Sequence, residues 1–163
     1  MPKLATGLAI LLAAALALPP AATSGPESPS RRLARKLWTY VTNTSPFQEW
    51  DRPPRPETLR IGAAPHGPVR TVRANPTALL SGPPYAPGSI IVMASSTGEG
   101  RLKRVSLMYK VPPGPDDVET GPAGWFWAMY GPDGSLGPAG APPGCVDCHQ
   151  RAEDRDYVFV KRP

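Results

Sequence analysis

Proline limits what this chain can build more than any other residue. It fills 24 of 163 positions, and glycine fills another 16. Inside a helix each proline removes a backbone donor and clashes with the preceding turn, so a bundle of four long helices is out of reach. So much Pro and Gly approaches the composition of a low-complexity, disordered chain. The aromatic residues oppose that outcome: Trp38, Trp50, Trp125 and Trp127, with 5 Tyr and 3 Phe, each supply a large area for burial. The expectation is a packed domain with long, proline-stiffened loops.

The first residues read as an export signal. Lys3 precedes an apolar run from Leu4 to Leu18, followed by Pro19, Pro20 and small residues. As a helix this run reaches only about 22 Å, short of the ~30 Å hydrocarbon core, and no second apolar segment follows it. Cleavage after Ser24 or Ala22 would release a soluble, exported, periplasmic chain without a membrane span. What remains is one domain's length of chain. The net charge of +5 favours solubility, and no basic run interleaves with aromatics as nucleic-acid binding requires.

The expected fold class is α+β, a mainly antiparallel sheet with an N-terminal amphipathic helix and a short C-terminal helix. Ser28 or Ser30 is positioned to cap the first helix. Its apolar face is Leu33, Leu37, Tyr40 and Val41, opposite Arg31, Arg32, Arg35 and Lys36. Residues 51–58 form a stiff loop, and Val69 to Arg73 a short strand. Asn75-Pro76 opens a short helix through Leu80. Ser89 to Ala94 and Trp125 to Tyr130 are strands. Leu102 to Val111 alternates, with Val105, Leu107, Tyr109 and Val111 on one face and Arg104, Ser106, Met108 and Lys110 on the other. Turns separate these strands, so antiparallel pairing is expected, and residues 131–144 read as a Gly/Pro tract.

The chemistry concentrates in GCVDCHQ, residues 144–150. A disulfide is the default for two cysteines in an exported protein, although so short a loop gains little stabilisation. A dithiol redox site belongs at a helix start after a strand, and here the Gly/Pro tract intervenes. Zinc needs two further ligands, and His66 is the only other histidine. Haem attachment uses every residue of the motif. On a helical turn Cys145 and Cys148 point the same way and can each form a thioether with a porphyrin vinyl group, while His149 presents its imidazole to the iron.

The motif lies near the C-terminus, whereas small electron-carrier cytochromes c carry it near the N-terminus. Several segments instead resemble the cytochrome P-460 family in order and spacing: HGPVRTVRANPTAL (66–79), APGSIIVM (86–93), VSLMYK (105–110), GWFWAMYGPDG (124–134), CVDCH (145–149) and DYVF (156–159). Residues 1–24 thus read as signal peptide and 25–60 as N-terminal helix and Pro-rich loop, and the resemblance implies 61–163 as the haem domain. It implies one covalent haem c, with thioethers at Cys145 and Cys148 and His149 as axial ligand. It further implies a small nitrogen-oxide ligand such as nitric oxide, or electron transfer with a periplasmic redox partner, as the function. The alternative is a hydroxylamine-oxidising enzyme.

Hydroxylamine-oxidising members of that family carry a porphyrin-linked lysine where this chain has Met93. A thioether cannot form that link, so Met93 either packs in the core or approaches the distal side of the iron, as a His/Met electron carrier would require. Met108 and Met129 are further candidates for that place. The family's distal carboxylate also has no counterpart among Ser106, Met108 and Lys110. His66 is expected as a turn residue bonded to backbone, and the distal side as apolar. Arg151 and Arg155 are candidates for haem propionates, and Asp156 to Phe159 for pinning the chain end. The residues set no oligomeric state, and a homodimer is compatible with them.

Overall fold

Five strands form one antiparallel sheet in simple sequential order. They are β1 (Val69–Ala74), β2 (Ile90–Ser96), β3 (Leu102–Lys110), β4 (Trp125–Tyr130) and β5 (Leu136–Gly140), accompanied by helices α1 (Pro29–Thr39), α2 (Pro76–Ser81) and α3 (Pro143–His149). The computed structural model describes residues 26–53, 66–67, 69–114 and 117–159. The export signal and most of the loop 51–58 lie outside the described residues. Among the described residues no helix is long and apolar enough to cross a membrane.

The expected α+β arrangement is present, and the strand alternation explains its layers. Val92, Val105, Leu107, Phe126, Ala128 and Tyr130 pack under α1 against Ala34, Leu37 and Val41. The opposite sheet face buries Ile91, Met108, Trp125 and Trp127 with Ala78, Tyr85 and Val158. Both faces of β4 are therefore covered, and Trp125 and Phe126 have no exposed surface. Each such aromatic buries roughly 150–250 Å², worth up to about 4–6 kcal/mol against an extended chain.

Three local expectations change. Ser28, not Ser30, caps α1 by accepting from the Arg31 N–H. Tyr40 is 39% exposed, because Ala34, Leu37 and Val41 carry the buried helical stripe and the chain opens into a π turn at Tyr40–Thr44. The tract 131–144 contains a strand, β5. Its Pro138 sits on the edge of the sheet, where the register with β4 shifts between Ala128 and Tyr130. There a missing N–H breaks no ladder bond. Asn75 does cap α2, accepting from the Ala78 and Ile90 N–H groups and donating to the Gly88 carbonyl.

Candidate functional site

The sheet face turned away from α1 forms the floor of an open cleft. Rows of cross-strand neighbours make the floor. Ile91, Met108 and Trp127 lie opposite one another, and beside them run Val72, Met93, Ser106 and Met129. The facing wall is α3 with the segment after it, so Cys145, Cys148 and His149 line the same cleft as the floor residues, together with Phe159.

Pro142 and Pro143 start α3 immediately after β5, and the helix carries both cysteines on one side, three residues apart. The thiols are half-buried and not joined to each other. Burial, and secondarily the nearby Cys148, push the Cys145 thiol up, the reverse of the lowered value a dithiol redox centre needs. Among the described residues no group of three or more His, Cys, Asp or Glu is gathered that could hold a bare metal ion.

His149 is 9% exposed. Its Nδ1 lies 2.7 Å from the Tyr157 carbonyl oxygen. A carbonyl only accepts, so Nδ1 carries the hydrogen and Nε2 keeps a lone pair, the arrangement of a metal-ligating imidazole. Burial lowers the pKa of the ring, while the Tyr157 bond partly restores it. Trp127 and Phe159 meet it edge-on, with ring centres 5.9 and 5.2 Å away.

The Tyr157 carbonyl reaches His149 because the chain reverses after α3. A short 3-10 turn spans Gln150–Arg155, and then Asp156 and Tyr157 both adopt left-handed backbone, with φ of 52° and 65°. For residues with a side chain this costs on the order of 1–2 kcal/mol each. Asp156 offsets the cost. Its carboxylate, 8% exposed, receives Lys110 Nζ at 2.8 Å on each oxygen and the Tyr85 N–H at 2.8 Å, while its carbonyl accepts from the Trp125 indole at 2.8 Å. Lys110 is thus committed to this strut and does not line the cleft.

His66 departs from the sequence expectation. Its Nδ1 is 3.3 Å from Ser106 Oγ, a side chain and not backbone, and the ring lines the cleft. Burial first, then the proximity of the His149 ring and the charges of Arg70 and Arg104, lower its pKa from 6.5 to about 4, so it is neutral near pH 7. With Ser106 it interrupts an otherwise thioether, aliphatic and aromatic floor. Met93, Met108 and Met129 all line the cleft. Arg151 is exposed, and Arg155 pairs with Asp154 at 3.3 Å and covers the Phe159 ring at 6.0 Å. Trp127 was legible only as a strand aromatic. Its ring lines the cleft and its buried indole Nε1 has no partner among the described residues.

A search of curated proteins finds no significant match. The family model for cytochrome P460 matches residues 61–160, which takes in β1 to β5, α3 and the Tyr157 turn. The chain belongs to the cytochrome P460 family, whose cofactor is a haem.

Proposed function

We propose that this chain is an exported, mono-haem c-type cytochrome that binds a small, neutral nitrogen oxide such as nitric oxide. The observation that carries the proposal is the convergence of Cys145, Cys148 and the Nε2 lone pair of His149 on one cleft. The residues present fit a haem. Two thiols are unjoined, one buried imidazole has its tautomer fixed by Tyr157, and a buried Trp127 N–H has no partner among the described residues.

In this proposal Cys145 and Cys148 would hold the haem, each by adding its S–H across one vinyl group, an addition that loses no atoms and needs no oxidant. His149 Nε2 would hold the iron, with its ring oriented by the Tyr157 carbonyl and the rings of Trp127 and Phe159. A haem held there would supply an iron that can bind a small ligand. The floor of Val72, Met93 and Met129 keeps charged ligands out, because an unpaired charge is costly to bury there. Electron exchange with a periplasmic redox partner is compatible with the same arrangement. Titrating the ferrous holoprotein with nitric oxide tests the proposal: a saturable change in its electronic spectrum is expected, and an unchanged spectrum refutes it.

One observation favours a second reading. Met93 lines the cleft from the middle of β2, where its sulfur would serve a His/Met electron carrier. Hydroxylamine oxidation receives no such support, since the side chain at this position has no amine to join to a porphyrin.

A further inference from the structure

Among the described residues, the Nε2 atom of His66 has no hydrogen-bond partner, and the haem proposal leaves it unused. We infer that His66, steadied by Ser106, is the hydrogen-bond donor that a small ligand meets at the sheet wall of the cleft; the inference rests on the haem site proposed above.

The placement comes from the sheet. Ser106 stands in the middle of β3, with Met93 opposite it on β2 and Met129 opposite it on β4. His66, just before β1, brings Nδ1 to 3.3 Å from the Ser106 hydroxyl and lines the same cleft as His149. Beside the Trp127 indole, these two are the polar side chains of a floor otherwise built from Val72, Ile91, Met93, Met108 and Met129. Two residues from different parts of the chain are thus joined where a ligand would lie.

The tautomer follows from counting donors and acceptors. If His66 Nδ1–H donated to Ser106, the serine hydroxyl hydrogen and the Nε2 lone pair would both lack partners among the described residues. If the Ser106 hydroxyl donates to Nδ1, a single group, Nε2–H, is left over. The second arrangement leaves one group instead of two to find a partner outside the protein, so it is preferred. A neutral imidazole in this form presents N–H to the cleft and no lone pair to a metal. Burial, and after it the neighbouring positive charges of Arg70 and Arg104, keep it neutral. The ligand it suits is a diatomic whose outer atom accepts a hydrogen bond, nitric oxide above carbon monoxide.

The test compares wild type, His66→Leu, His66→Gln and Ser106→Ala as holoproteins. Dissociation of nitric oxide from the ferrous protein is expected to quicken by roughly three- to ten-fold in His66→Leu, the value of one neutral hydrogen bond. His66→Gln, which keeps a donor, should recover part of the loss, and Ser106→Ala should fall between. Carbon monoxide dissociation should change less, while the C–O stretch of its adduct rises in His66→Leu as the donor disappears. Unchanged nitric oxide kinetics and C–O stretch in His66→Leu overturn the inference alone. So does a low-spin wild type that becomes high-spin in His66→Leu, since His66 would then be a metal ligand. A wild type without covalent haem, or one that binds neither gas, overturns the haem proposal and the inference with it.

Discussion

Replacing Lys110 with Met removes the cation from the Asp156 strut and leaves a carboxylate that is 8% exposed, facing a lysine position that was itself 12% exposed. Breaking a buried ion pair from one side costs about 3–5 kcal/mol. Here the Tyr85 N–H at 2.8 Å and the Trp125 indole at 3.2 Å still reach the carboxylate, so the expected cost lies at the lower end, about 3 kcal/mol. Asp156→Asn should cost less. Its amide oxygen still accepts from Tyr85, and the stranded ammonium remains 4.9 Å from the Trp125 ring centre. Combining the two changes leaves no buried charge, so Lys110→Met/Asp156→Asn should be more stable than Lys110→Met alone, with a net cost of about 1–2 kcal/mol. Urea unfolding of the holoprotein, followed by far-ultraviolet circular dichroism, measures all three. With an m-value of about 2 kcal/mol/M the single Lys110→Met variant should lose about 1.5 M in midpoint. The reasoning is refuted if Lys110→Met costs under about 1 kcal/mol, or if the costs of the single changes simply add.

Met93→Ala should leave the electronic spectrum of the ferric holoprotein high-spin and unchanged. Conversion of a low-spin wild type to high-spin would instead establish thioether ligation. Gly121→Ala places a Cβ 2.6 Å from the buried Trp127 ring and 3.2 Å from Val146 on α3, so it should lower stability by about 1–3 kcal/mol and disturb the cleft wall. Thermal unfolding checks it, and a melting point within 1–2 °C of wild type, a shift of only about 0.5 kcal/mol, would contradict the packing described. The depressed pKa of His66 gives a pH signature. The unfolded chain takes up this proton near 6.5 and the folded chain only near 4. The contribution to stability is therefore complete above about pH 6.5, declines as pH falls through that window and levels off below about 4. His66→Gln should flatten this part of the urea-midpoint profile relative to wild type, and two parallel profiles would disprove it.

Much of the fold was legible because its signals are local. The alternation of Val105 to Val111 and the Asn75-Pro76 start of α2 both encode backbone geometry within a few residues. β5 was hidden because LGPAG has turn composition, and only its edge position with a shifted register makes Pro138 acceptable. WFWAMY announced a strand but not its orientation. With both of its faces buried it has no polar side to point outward. Cys145, Cys148 and His149 stood out as a spaced motif. The carbonyl of Tyr157 did not, since a main-chain acceptor has no residue-type signal and this one depends on two left-handed residues. The pairing of His66 with Ser106 spans 40 residues of sequence and exists only once β1 to β3 are assembled.

The central claim is a covalent haem on the C-terminal motif, with His149 at the metal. Intact-mass and peptide mass spectrometry of the protein, expressed in a host that matures c-type cytochromes, tests it directly. The account predicts one haem added to the chain, found on the peptide containing Cys145, Cys148 and His149 and absent from the peptide containing Met93. A colourless protein with both cysteines free or joined to each other, or a porphyrin bonded to a second peptide, would contradict it.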